Sequence, residues 1–424
     1  MQPKIYTFNQ HEIDHLLIDS DALYVLHKLA NAGHKAYLVG GSVRDLILKQ
    51  TPKDYDISTS ARPEEIKHLF HRSCLLIGRR FRLAHIRFKH KVIEVSTFRS
   101  GDNESDLILH DNQWGSPEED VMRRDFTMNG LYYDSATHTI IDYVDGWDDI
   151  QNKLLRTIGD PLIRFKQDPV RMIRLLKFRA RFGFEIEALS KKALMQCRNE
   201  IVKSSPARIL EELFRMLESG SATSFFYLMV KAGLLELLFP SLAQFLASPR
   251  GEEVYRFLKT VDYINQNGGK NLLERSVLAS CLLFPILQEE MNQQFLNHSQ
   301  TPHMGDIMML TSTVIKEVVT SSFTHFPRRL SSTIGFILAM QYRLTPLSGK
   351  RHCHPKLLRN KEFIFALKFL KLRSLVDKTL DDTYSQCKSQ WKQQVKHGFK
   401  RSHPPVHSPA HHLPNKDSEH VPTH

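Results

Sequence analysis

Two aspartates placed two residues apart, Asp54 and Asp56, are the side chains in this sequence best suited to chemistry. Residues at this spacing project from the same face of a strand, so both carboxylates point one way. Two such charges repel and raise each other's pKa unless they share a cation, and oxygen ligands of this kind suit Mg²⁺. A pair at this spacing is also expected about once by chance in a chain of this size, so a solvent-exposed pair is the simpler interpretation.

A glycine turn lies shortly before the aspartates. Residues 36–39 form a short apolar run typical of a strand, Gly40 and Gly41 interrupt it, and residues 43–48 resume with helical spacing. Glycines let the backbone approach a ligand closely, and the free amides at a helix start favour an anion such as phosphate. A lone Gly-Gly is more often an ordinary turn, but its combination with two nearby carboxylates favours nucleotide chemistry.

A third carboxylate could join this site. Glu94 alternates with Ile93 and Val95 in a strand-like run, so it faces the opposite side from those two residues. If this strand lies beside the one that carries the aspartates, Glu94 completes a three-carboxylate metal site. If it does not, Glu94 is a solvent-exposed residue of a half-buried strand.

A second charged cluster, Arg123, Arg124 and Asp125, comes directly before an apolar run over residues 126–133. Two arginines suit the oxygens of a triphosphate, and Asp125 beside them could orient an arginine or a sugar hydroxyl. The alternative interpretation is an ordinary charged helix end.

A third cluster is formed by Asp168 and Arg171 at the start of a helix predicted over residues 170–182, with Asp168 as its N-cap. Three residues apart, the two side chains can present an acceptor and a donor side by side. Adenine and cytosine both show an amino donor beside a ring-nitrogen acceptor, whereas guanine and uracil reverse this order, so such a pair would accept ATP or CTP and reject GTP or UTP. A helix cap with a surface salt bridge explains the spacing equally well.

The composition of the whole chain favours a polyanionic partner. The 424 residues contain 58 Lys and Arg against 46 Asp and Glu, which gives a net charge of +12 and a pI near 9.3. The apolar runs are too short to span a bilayer, and residues 1–14 lack the features of a signal peptide. Five scattered cysteines without C-x-x-C spacing indicate a reducing compartment, so we expect a cytoplasmic protein.

The order of the predicted elements indicates an α+β protein. Strand-like and helical segments up to about residue 150 form a small mixed sheet with flanking helices, and the remainder is helical. From residue 350 the composition becomes basic, with a possible amphipathic helix over residues 363–380. The last segment, 402–424, is rich in His and Pro, and we predict that it is disordered.

Taken in order, these clusters resemble the motifs of the class II nucleotidyltransferases, a family that contains bacterial poly(A) polymerases and tRNA CCA-adding enzymes. The matching segments are Gly40-Gly41-Ser42-Val43-Arg44-Asp45 with Asp54-x-Asp56, then Arg123-Arg124-Asp125-Phe126-Thr127-Met128-Asn129, then Asp168-x-x-Arg171-x-x-Arg174. The resemblance covers residues 20–240 and is much weaker beyond them.

The resemblance implies a polymerase β-like nucleotidyltransferase head with a small mixed sheet, followed by an all-helical neck, body and tail. It implies attack of an RNA 3′-hydroxyl on the α-phosphate of a nucleoside triphosphate, without a template and with release of pyrophosphate. We predict the following division: an N-terminal extension at 1–20, the catalytic head at 21–150, a base-recognising neck at 151–220, a body at 221–345, a basic RNA-binding region at 346–401, and the tail at 402–424.

The resemblance also assigns roles to the motif residues. Asp54 and Asp56 would hold two Mg²⁺ ions, with Glu94 as a further candidate ligand, and Asp125 would be another catalytic carboxylate. Asp168 and Arg171 match the motif that reads the incoming base. The remaining matches are expected to bind the nucleotide: Gly40, Gly41, Ser42, Arg44, Asp45, Arg123, Arg124, Asn129 and Arg174.

Two segments, 76–86 and 115–133, are more similar to the poly(A) polymerase branch than to the CCA-adding branch. We therefore expect a template-independent adenylyltransferase that uses ATP to extend RNA 3′ ends and promotes RNA decay or processing. We expect it to act as a monomer, possible partners being RNA-decay proteins. A CCA-adding or A-adding enzyme and a non-catalytic RNA-binding protein are the alternatives. Gln167 replaces the usual glutamate of the base-reading motif, and the C-terminus has lysines in place of an arginine-rich region.

Overall fold

A computed structural model describes residues 2–78, 83–100, 113–267, 273–320, 326–347 and 355–401. The predicted disordered tail, 402–424, therefore lies outside the described residues. Within the described part, no helix combines the length and apolarity needed to cross a membrane, and four cysteines are buried. These four are Cys74, Cys197, Cys281 and Cys387.

The first third of the chain builds an eight-stranded sheet with the order β1-β10-β9-β2-β3-β6-β5-β4. Its pairings are antiparallel except for β3 beside β6, which run parallel, so the sheet is mixed as predicted. Two short two-stranded ladders, β7-β8 and β11-β12, accompany it. The strands are β1 Lys4–Tyr6, β2 Ala36–Val39, β3 Asp56–Thr59, β4 Cys74–Ile77, β5 Leu83–Arg87, β6 Val92–Thr97, β7 Arg99–Ser100, β8 Gln113–Trp114, β9 Leu131–Asp134, β10 Thr139–Asp142, β11 Leu154–Leu155 and β12 Glu185–Ile186.

Helices flank the sheet, and every secondary-structure element that the structure describes beyond β12 is helical. The first seven are α1 Phe8–His11, α2 Ser20–Asn31, α3 Gly41–Ile47, α4 Pro63–Phe70, α5 Pro117–Met122, α6 Gly146–Gln151 and α7 Pro161–Gln167. Then follow α8 Val170–Phe182, α9 Ala188–Cys197, α10 Pro206–Leu217, α11 Ala222–Lys231, α12 Leu234–Leu238, α13 Pro240–Ala247 and α14 Gly251–Asn267. The last are α15 Arg275–Gln294, α16 Met304–Ile315, α17 Arg328–Leu344, α18 Pro355–Leu358, α19 Phe363–Val376 and α20 Asp381–Arg401.

The turn between β2 and α3 requires glycine. Gly40 has φ +68° and ψ −129°, a conformation that side-chain-bearing residues rarely adopt. The strand before it is buried, with Leu38 and Val39 at most 2% exposed, and the helix after it is buried along almost its whole length. The glycine turn therefore lies between two elements that the core fixes in place.

Helix α19 differs from its predicted character. The sequence suggested an amphipathic helix in a basic region, but α19 buries Phe363, Phe369 and Leu370 and contacts α14, α15, α17 and α20. A helix that is apolar on several sides is enclosed by neighbours rather than laid on a surface. It therefore belongs to the core of the helical part of the molecule.

Gly146, the first residue of α6, gives a test of how tightly the head is packed. A Cβ at this position would lie 2.2 Å from the carbonyl oxygen of Thr127, whereas a Cβ at Gly305 in α16 would meet no atom within 4 Å. We expect Gly146→Ala to lower the free energy of unfolding by about 1–3 kcal/mol because backbone must move. The matched control Gly305→Ala should leave it unchanged or raise it by up to about 1 kcal/mol. Urea denaturation followed by circular dichroism measures both, and equal effects would contradict the packing described.

Candidate active site

The helix that follows the glycine turn is held by a buried cation. Arg44 is 3% exposed and donates from Nε and Nη2 to Oδ1 of Asp45, at 2.9 and 2.7 Å. Its Nη1 donates to Oδ1 of Asn129, and Arg181 of α8 reaches the other oxygen of Asp45 at 3.2 Å. Arg44 thus bonds to both Asp45 and Asn129, and all three side chains are buried beside the turn. Their predicted contact with the nucleotide stays a prediction.

Ser42 is likewise occupied by a local bond. Its hydroxyl donates to the carbonyl oxygen of Val39 at 2.9 Å, and the side chain is buried. This bond closes the turn between β2 and α3 from the inside. The glycine turn packs closely on two guanidinium groups, since a Cβ at Gly40 would lie 3.4 Å from Nη1 of Arg124 and a Cβ at Gly41 would lie 3.3 Å from Nη2 of Arg44.

The condition under which Glu94 could join the site is met, because its strand lies beside the one that carries Asp56. Glu94 on β6 is the direct register partner of Asp56 on β3, and the two strands are parallel. Desolvation within the protein, the charge of Glu94 and, to a smaller extent, that of Asp54 raise the pKa of Asp56 to about 6, although Arg124 opposes this. Glu94 also lies 3.4 Å from Nε2 of His85.

This donor set fits a divalent cation in an open arrangement. Among the residues that the structure describes, no three His, Cys, Asp or Glu side chains converge closely enough to form a complete metal cage. Mg²⁺ does not need one, because it keeps several waters and binds through one or two carboxylates together with substrate phosphates. The raised pKa of Asp56 reports clustered negative charge that such a cation would neutralise.

A cleft of about 340 Å³ opens in front of these carboxylates. One side is acidic and the other is basic, so the cleft suits a phosphate group bridged to a metal ion. The lining residues are Val39, Asp56, Ile57, Leu83, Glu94, Ser96, Arg99, Asp120, Arg123 and Arg124.

Arg124 is the best-positioned cation of the cleft. Its Nη2 donates to Oγ of Ser58 at 3.1 Å and to Oδ2 of Asp120 at 2.9 Å, and its guanidinium lies over the ring of Tyr132. Tyr132 also donates to Asp120 at 3.0 Å. Burial alone would lower the pKa of Arg124, but Asp120 outweighs it and the pKa is raised, so the arginine stays charged. Arg123, beside it, donates to the carbonyl oxygen of Ser100 at 2.9 Å.

Asp125 faces away from this cleft. Its Oδ1 accepts hydrogen bonds from the amide of Phe126 and from Asn129, and its Oδ2 lies 2.7 Å from Nη2 of Arg174 on α8. Burial would raise its pKa, but Arg174 and then Asn129 lower it. The structure therefore brings Asp125 and Arg174 together, away from the lining of the cleft with Asp56.

Asp168 and Arg171 lie beside one another, although not as the sequence predicted. Asp168 ends α7 and Pro169 takes the N-cap position of α8, so the predicted side-chain cap is wrong. The Asp168 carboxylate bonds to Arg208 of α10 instead, at 2.8 Å, and lies 3.8 Å from Nε of Arg171. Arg171 of α8 and Arg208 of α10 therefore interact with this carboxylate in place of the backbone amides that a helix cap would bind.

Asp168 and Arg171 each have one polar atom available to bind a ligand. Within the described part of the chain, Oδ1 of Asp168 and Nη1 of Arg171 are buried and have no hydrogen-bond partner. Arg171 uses its Nη2 to donate to the carbonyl oxygen of Arg123 at 2.9 Å, which places the pair next to the phosphate-facing loop. An acceptor and a donor are thus free on neighbouring side chains.

Several residues of this region were missed by reading the sequence. Asp120 supports Arg124, Arg164 contacts the loop that carries it, and Arg208 supports Asp168. Arg215 of α10 acts electrostatically on Asp56 and lowers its pKa. The spacing of Arg208 and Arg215, seven residues apart on one helix face, was the one signal that could have indicated a shared role.

Three family models match the chain. They are the Poly A polymerase head domain at residues 36–156, the probable RNA and SrmB-binding site of polymerase A at 183–246, and the polymerase A arginine-rich C-terminus at 304–416. The last match occurs although lysine replaces much of the arginine there.

Curated relatives agree with these matches. The poly(A) polymerases I of Salmonella typhi and Escherichia coli O157:H7 are each 34% identical over 88% of this chain and 82% of their own. The CCA-adding enzyme of Bacillus velezensis is 36% identical over 51% of this chain and 55% of its own. The similarity to the polymerases extends over 387 residues, so the expectation that it weakens beyond residue 240 was too narrow.

Solved structures share the fold. The CCA-adding enzyme of Bacillus stearothermophilus in complex with CTP aligns with 88% of this chain and 82% of its own, at a TM-score of 0.55 and 22% identity. A tRNA nucleotidyltransferase complexed with a primer tRNA and an incoming ATP analog aligns with 90% of this chain and 100% of its own, at a TM-score of 0.52 and 22% identity.

The mixed sheet, its paired carboxylates and the helices that follow define the nucleotidyltransferase class, which confirms the predicted fold class. Within that class, the relatives that match most of the chain are polymerases that add adenylate. The chain belongs to the bacterial poly(A) polymerase I family. It is therefore an enzyme, a template-independent polynucleotide adenylyltransferase, as predicted.

The pKa of Asp56 gives a stability test that does not depend on activity. Because its folded-state pKa of about 6 exceeds the ordinary value of 3.8, the folded protein binds more protons between these values. In metal-free buffer, stability should therefore fall as pH rises from about 4 to about 6 and remain lower above. We expect Asp56→Asn to lack this fall and to melt about 1–3 °C higher than the wild type at pH 7.5, a small shift because solvent reaches this carboxylate.

The effect of Mg²⁺ on the melting temperature is the matching control for this test. The ion should raise the melting temperature of the wild type at pH 7.5, have little effect at pH 5 where Asp56 is protonated, and have little effect on Asp56→Asn at either pH. Glu253→Gln, an exposed carboxylate of α14, should respond as the wild type does. Equal stabilisation of Asp56→Asn and wild type by Mg²⁺ would exclude Asp56 as a ligand.

Proposed function

We propose that this enzyme adds AMP from ATP to the 3′ ends of RNA and releases pyrophosphate, with the chemistry centred on Asp54 and Asp56. The observation that supports this proposal most is the position of Asp56 beside Glu94, facing Arg123 and Arg124 across one cleft. Carboxylates that bind a metal and arginines that bind phosphate are the two components that phosphoryl transfer requires.

Asp54 and Asp56 would bind two Mg²⁺ ions, with Glu94 close enough in register to support them. When bound, the metal ions lower the pKa of the RNA 3′-hydroxyl and neutralise charge on the triphosphate. The protein's own contribution is to fix Asp56 as the first residue of β3 beside Glu94 on β6, whereas Asp54 lies two residues before the strand begins. Since β3 is the central partner of β2 and β6, Asp56 cannot move without disturbing two ladders.

The triphosphate would lie along the basic side of the cleft. Arg124 is charged and fixed by Asp120, Ser58 and the ring of Tyr132, so its orientation is set before a ligand binds. The backbone of Gly40 approaches Nη1 of Arg124 closely, since a Cβ there would lie 3.4 Å from that atom. Preorganised cations of this kind stabilise developing charge at little cost in reorganisation.

The adenine would be read by Asp168 and Arg171. The free Oδ1 of Asp168 can accept from the exocyclic amino group, and the free Nη1 of Arg171 can donate to the adjacent ring nitrogen. Cytosine presents the same order of groups, so this pair by itself excludes guanine and uracil but not CTP. A preference for ATP over CTP requires a further constraint on where the base lies.

RNA is the proposed acceptor, and the basic helix α20 at the C-terminal end of the described chain is a candidate contact. Its exposed lysines, Lys388 and Lys392, could bind backbone phosphates without reading sequence. We further propose that the enzyme acts as a cytoplasmic monomer that promotes RNA decay or processing, with RNA-decay proteins as candidate partners.

Primer extension tests the reaction and its branch. With Mg²⁺, a short RNA and each triphosphate supplied separately, we expect long adenylate tails on any accessible 3′ end. Asp54→Ala and Asp56→Ala should each reduce the rate by at least about a hundredfold because metal binding is lost. Glu253→Ala is the matched control and should extend normally. A few additions restricted to tRNA ends would indicate a CCA-adding or A-adding enzyme, and activity that survives both aspartate changes would contradict the proposed site.

Purine riboside triphosphate, which lacks the exocyclic amino group of ATP, tests the base contact. Wild-type enzyme should use it about 10–100-fold less efficiently than ATP, since Oδ1 of Asp168 would lose its donor. Asp168→Ala should be slower with ATP and nearly indifferent between the two substrates. If Asp168→Ala keeps the wild-type preference, then Asp168 does not read the amino group. Arg256→Ala, an exposed arginine of α14, serves as the control.

A further inference from the structure

Arg164 of α7 is a buried cation that neither the motifs nor the proposed chemistry assigns. It is 6% exposed, and its Nη2 donates to the carbonyl oxygens of Met122 and Arg124 at 3.1 and 3.0 Å. These carbonyls flank Arg123 at the C-terminal end of α5. Carbonyl groups at a helix end carry partial negative charge and favour a nearby cation.

Arg171 acts on the same loop from the next helix. It donates to the carbonyl oxygen of Arg123, which lies in sequence between the two residues whose carbonyls accept from Arg164. Two guanidinium groups from α7 and α8 therefore hold three successive carbonyls, those of residues 122–124. The side chains of Arg123 and Arg124 point into the cleft while their backbone is held from behind.

Arg164 also stands on the element that carries the base-reading acceptor. The amide of Asp168 donates to the carbonyl oxygen of Arg164 at 3.1 Å, one helical turn along α7. Nη1 of Arg164 lies 3.4 Å from Oε1 of Gln167, which directly precedes Asp168. One rigid turn of helix thus connects the phosphate-facing loop with the position of Asp168.

The planar guanidinium group is needed for this geometry. Burial, and then the charge of Arg171, lowers the pKa of Arg164 to about 10, so the group remains charged at neutral pH. Arginine holds its donors in one plane, so that Nη2 bonds to the two carbonyls while Nη1 faces Gln167, whereas lysine presents a single flexible point charge. A buried cation is costly unless its hydrogen bonds are satisfied, which favours a role in fixing the backbone.

We propose that Arg164 is a positioning residue that fixes the distance between the triphosphate-binding loop and the base-reading pair, and so contributes to the choice of ATP. This inference rests on the proposed function. The phosphates are bound by the head and the base by α7 and α8, so a nucleotide must satisfy both at once. If a base requires a different distance between the phosphate site and the base site, the α-phosphate of its nucleotide is misaligned for attack by the RNA 3′-hydroxyl.

The test compares Arg164→Met and Arg164→Lys with the wild type in primer extension with each of the four triphosphates. We expect kcat/KM for ATP to fall about a hundredfold in Arg164→Met, and that for the other triphosphates to fall less, so that discrimination is lost. Arg164→Lys should be intermediate. Binding of inorganic tripolyphosphate, which has no base, should stay within about twofold because the loop arginines are intact.

Arg179 of α8 provides a matched control. It too donates to two backbone carbonyls, those of Gly183 and Phe184 at 2.6 Å each, but it holds a turn that is not in the cleft. Arg179→Met should reduce kcat/KM for all four triphosphates by similar small factors. If Arg164→Met behaves in the same way, with an unchanged ratio between nucleotides, Arg164 is merely structural and the inference is wrong.

Two further outcomes separate the explanations. Should Arg164→Met fail to fold by circular dichroism, Arg164→Lys decides: lost discrimination supports the inference and wild-type discrimination overturns it. If the wild type itself does not add adenylate to RNA, the proposed function fails first. A wild type that adds adenylate, with Arg164 variants of normal selectivity, refutes only the positioning role.

Discussion

The buried ion pair between Asp125 and Arg174, at 2.7 Å, is the interaction on which the rest of the site depends. Asp125 is 5% exposed, and a charge at such depth is tolerated only when it is paired and hydrogen-bonded. Removing Arg174 would leave the buried charge of Asp125 without its ion-pair partner, a change that typically costs about 3–5 kcal/mol. The pair joins the sheet domain to α8, so the geometry between phosphate site and base site rests on it.

Bonds extend from this pair in both directions. Asp125 holds the amide of Asn129, Asn129 accepts from Arg44, and Arg44 fixes the helix that follows the glycine turn. On the other side, Arg174 lies 3.8 Å from Glu212 of α10, which also binds Lys177 at 2.5 Å. A chain of charged groups therefore runs from behind Gly40 to α10. It allows the motif residues to be divided into those that line the cleft and those that hold the lining in place.

Helix α10 connects these charged groups to the helical body through further ion pairs. Glu211 accepts two hydrogen bonds from Arg275 at the start of α15, and Glu218 accepts a third. Arg215, which lies one turn beyond Glu211, is bonded to it and acts on Asp56. Each bond is partly exposed and individually weak, but several on one helix face restrict its rotation. Helix α10 thus connects the body to the residues around the cleft, in addition to the direct contact between α11 and α8.

The sequence by itself determined the local elements and the identities of the chemical groups. The Gly40-Gly41 turn between strand and helix, the helix over residues 170–182 and the helical second half follow from periodicity and turn residues, which are properties of short segments. The pairing of Asp56 with Glu94 was stated only as a condition, because strand order depends on contacts between segments far apart in the chain. Family likeness, carried by the order of motifs, supplied the choice of adenylate.

Only the tertiary structure decided which charged residues face the cleft and which lie behind it. Asp125 and Arg124 are neighbours in sequence, yet one pairs with α8 and the other lines the cleft, since the chain turns between them. Asp168 was expected to cap a helix, but Arg208 from α10 takes its carboxylate. Likewise α19, predicted to be amphipathic, is enclosed by α14, α15, α17 and α20. Burial and partner choice depend on packing between distant segments, and no local pattern encodes them.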